Sequence, residues 1–371
     1  MSKTRKILLL CGAAALVTGC EDSKPKPKPA AEAPKPATAQ AAVAEEPPKP
    51  KIDPAVLAIF QNPPRTTPND PAPLVELGKM LYFETRLSKN HDLSCNSCHD
   101  LAAYGVDGKQ FSSGHKGQLG GRNSPTTYDA AAHVAQFWDG RAKDLAEQAE
   151  GPVLNPVEMA MPDAKLVAKT LASIPEYGKR FKEVFPEDKA PVTLANAAKA
   201  MAAFERTLVT KSRFDAYLAG DKSALNDAEL RGLETFINSG CTACHMGPNL
   251  GGTMFQKLGL VKPWPAPEKG ELDTGRFQAT KNETDKYFFR VSALRNVEKT
   301  APYFHDGAVA SLDEAISLMA RHQLGRELTE AQVKDIGAFL RSHTGTLPDA
   351  SVIAAPTLPP STKKTPKPDP T

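Results

Sequence analysis

Two runs of one pattern, Cys95-Asn96-Ser97-Cys98-His99 and Cys241-Thr242-Ala243-Cys244-His245, constrain this chain more than any other feature. C-x-x-C-H is the attachment signal for c-type haem. Two thiols three positions apart can each add to a vinyl group of the porphyrin, and the adjoining histidine falls beneath it as the proximal iron ligand. A redox dithiol or half of a zinc site uses the same cysteine spacing. Of six cysteines, the other two, Cys11 and Cys20, lie within the first twenty residues. Two copies, each followed at once by histidine in a body with no further cysteine, favour covalent haem c at both.

The segments before the two motifs are also alike. Gly78 precedes Tyr82 and Phe83, and Gly232 precedes Phe236 and Ile237 at the same spacing. This resembles a duplicated cytochrome c unit, in which a helix glycine lets another helix approach and aromatic residues line the haem. Apolar residues recur at helical spacing over Leu194–Leu208, with Ala198, Met201, Phe204 and Leu208 on one face, and again over Leu312–Ala320. Alternating runs are nearly absent. The expected body is all-α, in two cytochrome c-like domains of one haem each, residues 52–217 and residues 218–346.

The ends read differently. Residues 1–20 carry Lys3, Arg5 and Lys6, then an apolar run from Ile7 to Val17, about half of what a membrane span requires. The run closes on Val17-Thr18-Gly19-Cys20, which resembles a bacterial lipobox. The expectation is a lipoprotein held in the periplasm through Cys20. Residues 21–51, rich in Pro, Ala, Lys and Glu, cannot bury enough surface to offset ordering and are expected to form a tether. Residues 347–371 are expected to be a disordered tail on the same ground. Over residues 52–345 there are 34 Lys and Arg against 36 Asp and Glu, so the net +3 of the chain belongs to its ends. Such a body makes no case for nucleic-acid binding.

What each iron can do depends on its sixth ligand. His115 sits in Ser112-Ser113-Gly114-His115-Lys116-Gly117-Gln118-Leu119-Gly120-Gly121, a loop whose glycines absorb backbone change. It is either a removable ligand of the first iron or a solvated loop histidine. His91, His133, His322 and His343 read as surface or packing residues. Ser311 and Glu314 form a capping-box pattern ahead of a stripe of Leu312, Ala315, Ile316 and Met319. Met319 therefore points inward, to core or to the second haem, with Met254 as the competing thioether.

Further motifs make the chain resemble the bacterial di-haem cytochrome c peroxidases across residues 53–345. They are Gly121-Arg122-Asn123-Ser124-Pro125-Thr126, Gln136-Phe137-Trp138-Asp139-Gly140-Arg141, Glu147-Gln148-Ala149-Glu150-Gly151-Pro152 and Asn155-Pro156-Val157-Glu158-Met159. Arg295-Asn296-Val297 and Thr300-Ala301-Pro302-Tyr303-Phe304-His305-Asp306-Gly307 complete them. The resemblance implies that the haem of Cys95, Cys98 and His99 is the low-potential peroxidatic site, with His115 as removable sixth ligand. It implies that electrons enter at the haem of Cys241, Cys244 and His245, with Met319 as its sixth ligand, and pass by Trp138 to the first. Glu158 is then the proton shuttle for O–O cleavage and Gln148 its partner, donating or accepting a hydrogen bond to the bound peroxide. Asn123 and the carbonyls of Thr300 and Pro302 hold one calcium ion. The implied reaction reduces hydrogen peroxide to water, with a small periplasmic c-type cytochrome or cupredoxin as donor and a homodimer as the working form. Two alternatives stand beside it. One is a di-haem electron carrier, which has no need of Glu158 and Gln148. The other is a di-haem enzyme oxidising a protein substrate, in which a tyrosine replaces Met319.

Overall fold

The computed structural model describes residue 50, residues 52–61, 69–265, 267 and 271–371. The expected signal, Cys20 and nearly all of the tether lie outside these residues. Among the described residues no helix is long and apolar enough to cross a membrane.

The body is helical. Its α-helices are, in order, α1 (Pro54–Leu57), α2 (Ala72–Tyr82), α3 (Cys95–Cys98), α4 (Leu145–Leu154), α5 (Ala164–Ala172), α6 (Pro175–Val184) and α7 (Leu194–Glu205). There follow α8 (Arg213–Leu218), α9 (Asp227–Ser239), α10 (Phe277–Thr280), α11 (Leu312–Leu324), α12 (Glu330–Ser342) and α13 (Ala350–Ile353). Among the described residues four short strands, β1 (Lys211–Ser212), β2 (Phe255–Lys257), β3 (Phe288–Arg290) and β4 (Gly345–Thr346), pair antiparallel as β1–β4 and β2–β3.

The two glycines that precede the Cys motifs do the same work in each half. A Cβ on Gly78 of α2 would fall on the carbonyl oxygen of Ala200 in α7 and beside the Cβ of Phe204. A Cβ on Gly232 of α9 would fall on the carbonyl of Asp335 in α12 and beside the Cβ of Phe339. Each crossing thus brings two helix backbones closer than any other residue permits, with a phenylalanine four positions on filling the next turn. Caps fix where these helices start. Thr193 accepts from Asn196 N ahead of α7, and Asn226 and Thr329 form full capping boxes ahead of α9 and α12. Ser311 caps α11 by accepting from Glu314 N.

The chain ends cross over, which corrects the expected division at residues 217 and 347. Leu57 and Phe60 pack with Phe214, Tyr217, Leu233, Phe236 and Phe339, so residues 52–60 and α8 share the second half's core. Gly247 N donates to the Ile59 carbonyl at 2.9 Å, fastening that segment beside the second Cys motif. The expected disordered tail is a strap on the first half. Leu347, Val352 and Ile353 pack on Tyr82, Leu101, Tyr128 and Phe204, and Leu358 reaches the core formed by α2, α5, α6 and α7. Arg86 donates to Pro359 O at 2.9 Å and Ser361 Oγ at 3.1 Å, and Thr362 Oγ1 to Ser173 O at 2.9 Å. Composition misled because a Pro/Thr/Lys segment needs no core of its own when an existing surface supplies hydrogen-bond partners. Prolines also lower the entropy lost on docking.

Candidate active site: two cavities around the Cys-His motifs

Each motif lines its own cavity. The first, of about 780 Å³, is bounded by Cys95, Cys98 and His99 with Tyr82, Phe137, Arg141, Gln148 and Glu158. The second, of about 240 Å³, is bounded by Cys241, Cys244 and His245 with Phe236, Leu312, Ala315, Ile316, Met319 and Leu340.

The donor sets suit a covalent haem. His99 Nδ1 lies 3.3 Å from Gly105 O and His245 Nδ1 lies 3.0 Å from Leu250 O. A carbonyl that takes the Nδ1 proton fixes ring orientation and tautomer and leaves Nε2 for an iron. Burial lowers both histidine pKa values, which keeps the rings neutral as ligands. Burial also pushes all four thiols up, Cys241 to about 11. That is opposite to the lowered pKa of a reactive redox dithiol. Tyr82 supports the first motif by donating to His99 O at 2.7 Å.

Glu158 reaches the first cavity through a turn. Helix α4 ends at Leu154, and Asn155 Oδ1 then accepts from Val157 N at 3.0 Å while Asn155 Nδ2 donates to Glu158 Oε1 at 2.9 Å. Burial raises the Glu158 pKa, with Arg141 and the Asn155 hydrogen bond opposing. Arg141 itself lies over the Phe137 ring, 3.4 Å from its centroid. Gln148 projects from α4 into the same space.

His115 is not among the residues lining this cavity. Its ring is 5 % exposed, and Nε2 has no hydrogen-bond partner among the described residues. Its loop is docked on the Glu158 turn. His115 N donates to Glu158 O at 2.7 Å, Gln118 Nε2 to Pro156 O at 3.3 Å, and a Cβ at Gly114 would meet Val157 O.

Met319 does line the second cavity, whereas Met254 and His322 do not. Trp138 borders both cavities, its Nε1 donating to Asn123 O at 2.8 Å. Asn123, Thr300 and Pro302 border the second cavity together. Asn123 Nδ2 donates to Lys109 O at 2.9 Å, which fixes the orientation of its amide.

Three residues of the site escaped sequence reasoning. His133, expected at the surface or in packing, borders both cavities, as does Arg290. Arg290 is 5 % exposed, and burial lowers its pKa to about 10. Glu205 borders the first cavity. A signal existed for Glu205, since it ends a helix that is apolar on almost every side. His133 and Arg290 are single polar residues in short apolar runs with no periodic pattern to aim them, and carried none. His343, expected among the same surface histidines, is fully buried with its ring centroid 4.5 Å from that of Phe214.

The family model for di-haem cytochrome c peroxidases matches residues 72–223. The cytochrome c551 peroxidase of Nitrosomonas europaea is 49% identical over 300 residues, covering 81% of this chain and 87% of that protein. The cytochrome c551 peroxidase of Pseudomonas aeruginosa is 49% identical over 294 residues, covering 79% and 84%. A crystal structure of a MauG-like protein associated with microbial copper homeostasis superposes with a TM-score of 0.66 at 27% identity, covering 85% of this chain and 97% of that one.

Proposed function

Because the chain belongs to the di-haem cytochrome c peroxidase family, we propose that it reduces hydrogen peroxide to two waters in the cavity of Cys95, Cys98 and His99. The two electrons come from a small c-type cytochrome or cupredoxin and enter at the cavity of Cys241, Cys244 and His245. The observation that carries this reading is the convergence of Glu158 and Gln148 on the first cavity and of Met319 on the second. Each motif heads a cytochrome c-like domain and would hold one haem through its two cysteines, with His99 or His245 as an iron ligand. When bound, the first haem supplies the metal at which peroxide is cleaved, and the second supplies a store for incoming electrons.

The chain's own residues do the rest. Glu158 accepts a proton from the inner oxygen of peroxide and passes it to the outer oxygen, which departs as water. Burial supports this role, because a carboxyl raised toward neutral pH can both take and give a proton. Gln148, with an amide that donates and accepts, holds the peroxide for that transfer. Trp138, fixed on the shared wall by Asn123, gives electrons an aromatic bridge. Met319, on the wall of the same cavity as His245, would supply a thioether ligand to the second haem and so raise that site's potential. His115 acts as a gate. The docked loop corresponds to the open arrangement, and release of the His115 N–Glu158 O bond lets His115 enter the cavity and block it. Asn123 with the carbonyls of Thr300 and Pro302 provides hard oxygen ligands for a calcium ion. Cys20 carries a lipid that holds the body in the periplasm, and two copies form the working dimer.

Mixing peroxide with excess reduced donor protein tests this reading. Two donors oxidised per peroxide consumed supports it, and peroxide loss with no donor oxidation overturns it.

A further inference from the structure

Glu205, the last residue of α7, has no part in the mechanism above. It is 5 % exposed and lies on the wall of the first cavity. Among the described residues its carboxyl takes part in no hydrogen bond, and Arg206 is the only cation that acts on it. That guanidinium is turned away, giving Nε and Nη2 to Asp70 at 2.6 and 2.7 Å. The other ionisable groups facing Glu205 are Tyr82 from α2 and Cys95 from α3, both neutral, while Asp144 ahead of α4 acts on Arg206. The C-terminal end of α7 adds partial negative charge of its own.

A carboxylate placed there is costly. Burial first, with Arg206 opposing, pushes the Glu205 pKa up to about 8. It is also distinct from Glu158, which is held by Asn155 and acts on the thiol of Cys98 rather than that of Cys95. The charge that can compensate Glu205 is one arriving inside the cavity. A ferric haem carries one more positive charge than a ferrous one, so the ease of ionising this carboxyl follows the oxidation state.

Resting on the reading that the first cavity holds a haem, we infer that Glu205 is its redox-linked proton site. Glu205 takes one proton from solvent as the iron gains one electron from the donor protein and passes from ferric to ferrous. The buried site then gains no net charge. On reoxidation the electron leaves to peroxide and the proton leaves the carboxyl.

The test is a spectropotentiometric titration of both haems in the holoprotein from pH 6 to 10, for wild type, Glu205→Gln and Glu205→Asp, with reduction-induced infrared difference spectra. In wild type the first haem becomes harder to reduce as pH rises through a window around pH 8. The slope approaches tenfold per pH unit, about 59 mV for one electron. In Glu205→Gln that slope is lost, and the first haem is easier to reduce than wild type at pH 9 and equal to it at pH 6. Glu205→Asp keeps the slope with a moved midpoint. A protonated-carboxyl band grows on reduction in wild type and is missing in the Gln variant. An unchanged slope in Glu205→Gln, or no such band in wild type, overturns the inference while two haem spectra leave the parent reading standing. A protein without haem on Cys95 and Cys98 overturns both.

Discussion

The two cavities share a scaffold and differ in what faces it. Both sit beside a helix crossing held close by a glycine, Gly78 on Ala200 and Gly232 on Asp335. Both place an aromatic residue four positions after that glycine on the cavity wall, Tyr82 in the first and Phe236 in the second. Both orient the motif histidine through an Nδ1–carbonyl contact. Beyond that, the first wall carries Arg141, Gln148, Glu158 and Glu205, and the second carries Leu312, Ala315, Ile316 and Met319. A polar wall can move protons and bind a small polar substrate. The four residues Leu312, Ala315, Ile316 and Met319 that α11 turns to the second cavity, apolar but for one thioether, carry no proton donor and can tune a potential. Under the proposed function, labour is divided by the residues that line each cavity beyond the motif, while the motif itself is common to both.

The comparison breaks most visibly at Glu158. Glu158→Gln keeps the cavity's shape and removes the proton shuttle, so peroxide turnover should fall by about 10²- to 10⁴-fold, with both haems attached and the second haem's spectrum unchanged. Under the proposed function, turnover in wild type needs the carboxylate. Because burial raises its pKa, activity should be lost as pH falls through a value above the ordinary carboxylate range, and that acid limb should vanish in the Gln variant. A steady-state pH profile of both proteins checks this.

Next in size is Met319→Leu, which touches the other wall alone. The second haem's potential should drop by a sizeable part of the roughly 0.8 V that axial ligands command, with slower electron uptake from the donor. Redox titration that leaves the second haem's potential and spectrum unchanged would assign Met319 to packing.

The shared scaffold predicts matched effects. Gly78→Ala and Gly232→Ala each force a Cβ onto a helix carbonyl and should each cost about 1–3 kcal/mol. Denaturant unfolding followed at each haem's absorption should show comparable losses, and a large loss in one with none in the other would contradict the equivalence. The smallest effect concerns the strap. Thr362→Val removes the bond to Ser173 O and should cost about 1 kcal/mol. Reduced hydrogen-exchange protection should appear near Ser173 and not in α9 or α12.

Much of this was legible in the sequence, for physical reasons. The Cys-x-x-Cys-His runs have a covalent requirement that tolerates no variation in spacing. The Gly78 and Gly232 crossings showed as equal offsets from aromatic residues, and the inward face of Met319 showed as helical periodicity. The structure sets Met319 on the wall of the second cavity, where the stripe alone left both core and haem open. Glu158 and Gln148 were visible only by resemblance, because a turn closed by Asn155 and a helix exit decide where they point, and neither leaves a periodic trace. The crossing of the chain ends was invisible: Leu57 and Phe60 sit in a short apolar run that names no partner, Leu358 is a single apolar residue among prolines, and their partners lie far away in sequence. His133 and Arg290 reached the shared wall by the same kind of long-range packing.

The division of labour between the cavities is tested most directly by stopped-flow mixing of peroxide with holoprotein to which one electron has been added, reading both haem spectra. The account predicts that the electron rests on the second haem. Peroxide should change the first haem's spectrum at once and drain the second haem at a rate that rises with peroxide concentration. In Glu158→Gln the electron should rest in the same place but drain about 10²- to 10⁴-fold more slowly. Peroxide that oxidises the second haem with no change at the first, or at an equal rate in the Glu158→Gln protein, would contradict the account.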